Sequence, residues 1–176
     1  MNQQQLKERL LVEQCSCVIY NQGEVRIFRE RGVKDLYRLL KEEPEFLAGA
    51  SMADKVIGKA AAALLALGGV REVFALAISL PARELLERAG IATGYSEVVP
   101  HIINRTRTGW CPLETRCYSL ETPVACLVQI EEFINLMSKM LMIKILIFVL
   151  LFLLELTSLR ADEVLDSLAV QRKVAL

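Results

Sequence analysis

Lys55 and Lys59 stand four positions apart in residues 49–70, GASMADKVIGKAAAALLALGGV. Read as one long helix, that spacing puts both ammonium groups on one face. Two like charges side by side repel unless an anion lies with them. The free N–H groups and positive dipole end of a helix start favour an anion at the same place. Ser51, three residues before Asp54, has the type and position of a cap for the first turn. Asp54 lies about 100° round from Lys55, within reach to orient it or to take a ligand hydroxyl. The chemistry expected is the binding of a phosphate or carboxylate. The plainer reading is a solvated first turn with a salt bridge. Residues 60–67 are all Ala or Leu, and a helix apolar all round is buried. The polar turns then mark where it reaches a surface, which favours the functional reading.

A second polar cluster is residues 104–114, NRTRTGWCPLE. Arg105 and Arg107 suit a second phosphate, flanked by Asn104 and Thr108. Gly109 allows close backbone approach. Cys111 precedes Pro112 at an expected helical start, a setting that lowers a thiol pKa, and Glu114 is a partner within reach. For Cys111 as a nucleophile the plainer reading is favoured: a surface loop with one buried Cys and a stacked Trp. His101 is the one His in the chain, so a His-based metal cluster is excluded. Cys111 and Cys117 are too far apart for the usual zinc pair. Cys15 and Cys17 would share one strand face, and Cys126 falls in a helix. No metal and no cofactor is expected.

The elements that must position these residues follow from periodicity. The N-terminal residues 2–14 form a polar helix with Leu6, Leu10 and Leu11 on one side. Two short apolar runs around Val18 and Ile27 flank Asn21-Gln22-Gly23-Glu24, a hairpin signal. A helix spans residues 33–43, with Pro44 at its end. After the central helix, Gly68-Gly69 gives a stop. EVFALAIS at 72–79 is a strand covered on both faces. Pro81 opens a helix that Gly90 closes. Two short extended runs cover 91–95 and 97–103, and a last helix covers 122–136. Strands alternating with helices after a hairpin imply an α/β sandwich, one mixed sheet covered by helices on both sides.

The chain has 176 residues, enough for one domain with extensions. Lys+Arg and Asp+Glu balance at 21 each, so there is no basic field to draw nucleic acid. Five Cys at scattered spacings argue for reduced thiols in the cytoplasm, and residues 1–14 are too polar for a signal peptide.

From residue 137 the character changes. Residues 145–154 contain no polar side chain, and Glu155 follows. A Met start, a Lys, an apolar run and Ala161 before a polar start is the layout of a secretory signal peptide. Leu159 departs from the small residue preferred there. Placed internally, the segment suggests a second reading frame fused to the first. The alternative is a membrane anchor through residues 140–160. Lys139 and Lys144 favour a cytoplasmic domain in either case. The domains expected are 1–136, the α/β unit, and 137–176, an extra hydrophobic C-terminal helix outside the fold.

GASMADKVIGKAAA, GGVREVFA, SLPARELLERAGI and NRTRTGWCPLE together resemble a bacterial family known as domain of unknown function 1893. The resemblance covers residues 18–134. It implies a three-layer sandwich of the cytidine deaminase-like type. Zinc deaminases carry H-x-E at one helix start and P-C-x-x-C at the next. The first position is expected in residues 50–55, which hold no His, Cys or Glu. The second reads Pro81-Ala82-Arg83-Glu84-Leu85, with both Cys replaced. A zinc deaminase is therefore excluded, and a ligand cleft remains.

The function expected is binding of a nucleotide or other phosphorylated small molecule. Ser51, Asp54, Lys55 and Lys59 would hold it, and Asn104, Thr108, Gly109, Cys111 and Glu114 would close over it. Two alternatives stand beside it. One is a non-catalytic regulatory or protein-interaction domain. The other is an enzyme using Cys111 or Asp54.

Overall fold

The computed structural model describes residues 1–30 and 32–174, with side chains described to Glu155 and at Arg160. The chain divides into two compact units, Met1–Phe133 and Ile134–Leu176.

The first unit begins with α1 (Gln3–Val12). Asn2 and Gln5 form a reciprocal capping box, at 2.9 and 3.0 Å, which satisfies two otherwise orphaned donors. β1 (Cys17–Asn21) and β2 (Glu24–Phe28) form the expected hairpin. Its two turn residues, Gln22 and Gly23, both have positive φ, which matches the twist of the flanking strands. Two helices follow, α2 (Lys34–Glu42) and the short α3 (Pro44–Leu47).

Residues 51–57 are not helical. They form β3 (Ser51–Ile57), antiparallel to β1 on one side and parallel to β4 (Glu72–Ser79) on the other. Gly58 then caps α4 (Lys59–Leu67) in an extended conformation. The reading of 49–70 as one helix is thus corrected to a strand, a glycine and a helix. The reason is that the Ala run begins only at Ala60, while backbone partners on both sides hold residues 51–57 in the sheet.

After β4 comes α5 (Leu80–Arg88), capped by the Ser79 hydroxyl, which accepts the Ala82 N–H at 3.3 Å. A single strand, β5 (Ala92–Val99), replaces the two expected extended runs, and Pro100 falls just past its end. α6 (Pro112–Cys117) is short. α7 runs from Pro123 to Val174, so the expected last helix and the expected hydrophobic C-terminal helix are continuous.

The open mixed sheet has the order β2-β1-β3-β4-β5. Leu6 and Leu10 of α1 pack on Val18, Ala53 and Phe74 on one face. α4 and α5 lie side by side on the other, flanked by α2 and α6. α4 is buried almost all round because Ala side chains let neighbours approach closely.

Within α7, Pro123–Glu155 has mean hydropathy 2.4 over its most apolar window, none of it buried. It is long and apolar enough to cross a membrane, where about 20 residues suffice. The side chains of the proposed cleavage residue Ala161 and of the residues beyond it lie outside those described.

Candidate functional site

β3, β4 and β5 run parallel, so their carboxyl ends share one edge, where open α/β sheets place their ligands. Two helices start there, α4 after β3 and α5 after β4. The first turn of α4 presents free N–H groups. One of them, Lys59 N–H, donates to Glu114 Oε2 at 2.8 Å. Glu114 is 1% exposed, and its other oxygen, Oε1, is buried without a hydrogen-bond partner. A carboxylate from α6 therefore occupies the anion position that the sequence assigns to a ligand.

Gly58 makes that approach possible. A Cβ there would lie 2.5 Å from Glu114 Oε2 and 3.1 Å from the Ile102 side chain. The Lys59 side chain is buried too, and its ammonium donates to the Tyr118 carbonyl at 2.6 Å.

Beside this capped helix start is an aromatic shelf. Trp110 stacks on His101 with ring centroids 4.0 Å apart and meets Tyr118 at 4.8 Å. Trp110 and Tyr118 remain 40% and 42% exposed, enough to offer ring surface to a ligand. Trp110 bridges Ile103, and Cys111 N–H donates to the Ile102 carbonyl at 2.8 Å.

The intervening loop is built around Asn104. Its Oδ1 accepts the Thr108 N–H at 3.0 Å and the Thr106 hydroxyl at 3.0 Å, while its Nδ2 donates to Thr108 Oγ1 at 3.1 Å. Asn104 N–H donates to the Gly109 carbonyl at 2.8 Å. Asn104 and Thr108 thus shape the loop. Gly109 leaves open space, since a Cβ there would meet only Asn104 Nδ2, at 3.9 Å. Cys111 sits at the N-cap of α6.

The structure separates the remaining expected residues. Lys55 and Lys59 share no helix face, because Lys55 lies on β3. Its ammonium donates to the Gln14 carbonyl at 3.0 Å, at the end of α1. Ser51 caps no helix. It lies at the opposite end of β3, donating to Glu72 Oε1 and accepting from Arg71 Nη2, both at 2.6 Å.

Asp54 pairs with Cys17 across the β1–β3 ladder and accepts the Val56 N–H at 2.9 Å. Burial pushes its carboxyl up to about 7, against the pull of the amides and the Cys17 thiol. Burial and the neighbouring Asp54 raise the Cys17 thiol. Sequence reading missed Gly58 and Tyr118. Gly58 was legible as a break before the Ala run. Tyr118 was not, since its part is played by a backbone carbonyl.

Among the described residues, no three His, Cys, Asp or Glu side chains gather as a metal site. A separate open cleft of about 400 Å³ lies by the β1–β2 turn, lined by Asn21, Gln22, Glu24, Arg26, Glu43, Glu45 and Phe46. Its Arg26 is engaged with Glu24 and Glu43, both at 2.6 Å.

The fold is similar to a solved structure, a DUF1893 family protein (TM1506) from Thermotoga maritima. The TM-score is 0.67 at 23% identity, over 73% of this chain and 87% of that one. No curated protein matches the sequence. The profile of the family described as a domain of unknown function, DUF1893 (TM1506), matches residues 5–134. Over that length, which is most of the first compact unit, the chain belongs to the DUF1893 family.

Proposed function

We propose that this is a ligand-binding domain of the cytidine deaminase-like type that works without zinc. Its ligand is a nucleotide or a similar planar phosphorylated molecule. The observation that carries the reading is the Glu114 carboxylate at the start of α4, buried with one oxygen unpartnered. An unpaired buried acceptor costs free energy that a donor on a ligand would recover. Nucleobases carry such donors in the plane of a ring. The exposed faces of Trp110 and Tyr118 suit that ring, because stacking on an aromatic side chain contributes about 1–3 kcal/mol per base. Arg105 and Arg107, exposed on the same loop, would hold phosphate. This moves the ligand from the lysine pair to the side of the site formed by residues 104–118. Two adjacent helix starts after parallel strands support the deaminase-like reading.

The domain would be cytoplasmic, with the apolar part of α7 tethering it to a membrane. What supports the tether is that residues 140–154 are exposed on every side of that helix.

The test is thermal unfolding of the full chain in mild detergent against nucleotides, nucleosides and sugar phosphates. Ligand at about 100 times its Kd adds roughly 2.7 kcal/mol. The expected result is a shift with nucleotides that Trp110→Ala and Glu114→Gln each reduce. No shift across the panel would overturn the ligand reading and favour a protein-interaction domain.

A further inference from the structure

Cys117 closes α6 and Cys126 lies in the first turns of α7, where its N–H donates to the Thr122 carbonyl at 3.2 Å. The two are nine positions apart, joined by a tight corner. Both side chains are fully buried. The Cys117 thiol donates to the Cys126 carbonyl at 4.0 Å, which sets its sulfur against the Cys126 residue. Lys59, the buried lysine at the start of α4, acts on both through its positive charge. The geometry points to Cys117 and Cys126 as a redox dithiol that closes reversibly to an intramolecular disulfide, with a peroxide as oxidant.

The local electrostatics set the direction of the chemistry. The hydrogen bond from Cys117 and the charge of Lys59 pull the Cys126 thiol below its ordinary range. Cys117, as the donor, is pushed up by the same hydrogen bond and by burial. On this reading Cys126 is the attacking thiol. Its sulfur takes one oxygen from hydrogen peroxide, the O–O bond breaks, and hydroxide leaves. The product is a sulfenic acid at Cys126. The Cys117 sulfur then attacks that sulfur, the S–O bond breaks, and the oxygen departs as water with the Cys117 proton. Overall two thiols are oxidised to one disulfide, and one peroxide is reduced to two waters.

The corner between the two cysteines contains Tyr118. Its carbonyl holds the Lys59 ammonium, and its ring meets Trp110. Closing the disulfide would constrain that corner directly under the aromatic shelf. This inference stands on the thiol pair and does not require the ligand assignment to be correct.

The experiment treats the full chain with hydrogen peroxide, blocks remaining thiols and digests with trypsin. Cleavage after Arg116 and Lys139 leaves both cysteines in one peptide. The expected result is that this peptide loses two hydrogens and regains them with dithiothreitol. A peptide that keeps both blocked thiols, or joins to another cysteine, would overturn the proposal. Cys117→Ser should trap a dimedone-reactive sulfenic acid at Cys126. If Cys126→Ser instead traps one at Cys117, the assigned direction of attack is wrong. The unmodified chain supplies the first readout, so the proposal remains testable if either variant fails to fold.

Discussion

Glu114 Oε2 accepts the backbone N–H of Lys59 at 2.8 Å, so a carboxylate 55 positions later in the chain caps the first turn of α4. Gly58 is the residue that admits it. The Gly58 φ is −95°, within reach of any residue, so the glycine is required for space alone.

Gly58→Ala should destabilise the protein through the clash at 2.5 Å with Glu114 Oε2, by about 1–3 kcal/mol. Glu114→Ala should cost about 1–3 kcal/mol by orphaning the buried Lys59 N–H. The double variant should lose clearly less than the sum, because the first clash disappears with the carboxylate. Urea unfolding of the four proteins measures this. Simple additivity would show that the two residues act independently.

Asp54 gives a stability that depends on pH. Its ordinary value is 3.8, and in the fold it holds a proton up to about 7. Between these values the native state binds more protons than the unfolded chain. Its contribution to stability is complete below about 4 and falls as pH rises to about 7, by at most roughly 1.4 kcal/mol per pH unit. Glu43, Glu72 and Glu131 are held low by their partners and act in the opposite direction at more acid pH. The comparison is therefore with Asp54→Asn, which keeps an acceptor for the Cys17 thiol. The stability of the native protein relative to this variant should decline from pH 4 to 7. A constant difference would mean that Asp54 titrates normally.

The apolar part of α7 should govern membrane association. In flotation with phospholipid vesicles, the full chain should rise with the lipid. A chain ending at Met137 should remain in the aqueous layer with its circular dichroism intact. Equal flotation would place lipid binding in the α/β unit, and loss of structure would show that the unit depends on the helix.

The α/β class and the mixed sheet were legible because their signals are local. The hairpin announces itself at Gln22-Gly23, and β4 reads as an unbroken apolar run. β3 was not legible. It carries Ser51 and Lys55, whose polar groups are satisfied by residues distant in sequence, Glu72 and Gln14, and Asp54, which faces Cys17 across the β1–β3 ladder. No window of sequence contains those partners. The candidate site divides in the same way. Lys59 and Glu114 were both marked from residue type, yet their contact joins residues 55 positions apart. The spacing of Lys55 and Lys59 misled because it presumed one helix across Gly58. Nothing in composition showed that Glu114 would occupy the helix start itself.

The strand order β2-β1-β3-β4-β5 bears on how the chain can fold as it is synthesised. The hairpin strands are made first, and β3, β4 and β5 can then join in the order in which they appear. β3 adds to the free edge of β1, β4 to β3 and β5 to β4, so no strand must be inserted between two others. Loop closures stay short, which favours fast folding. A nascent chain can therefore complete its sheet before the apolar part of α7 emerges from the ribosome.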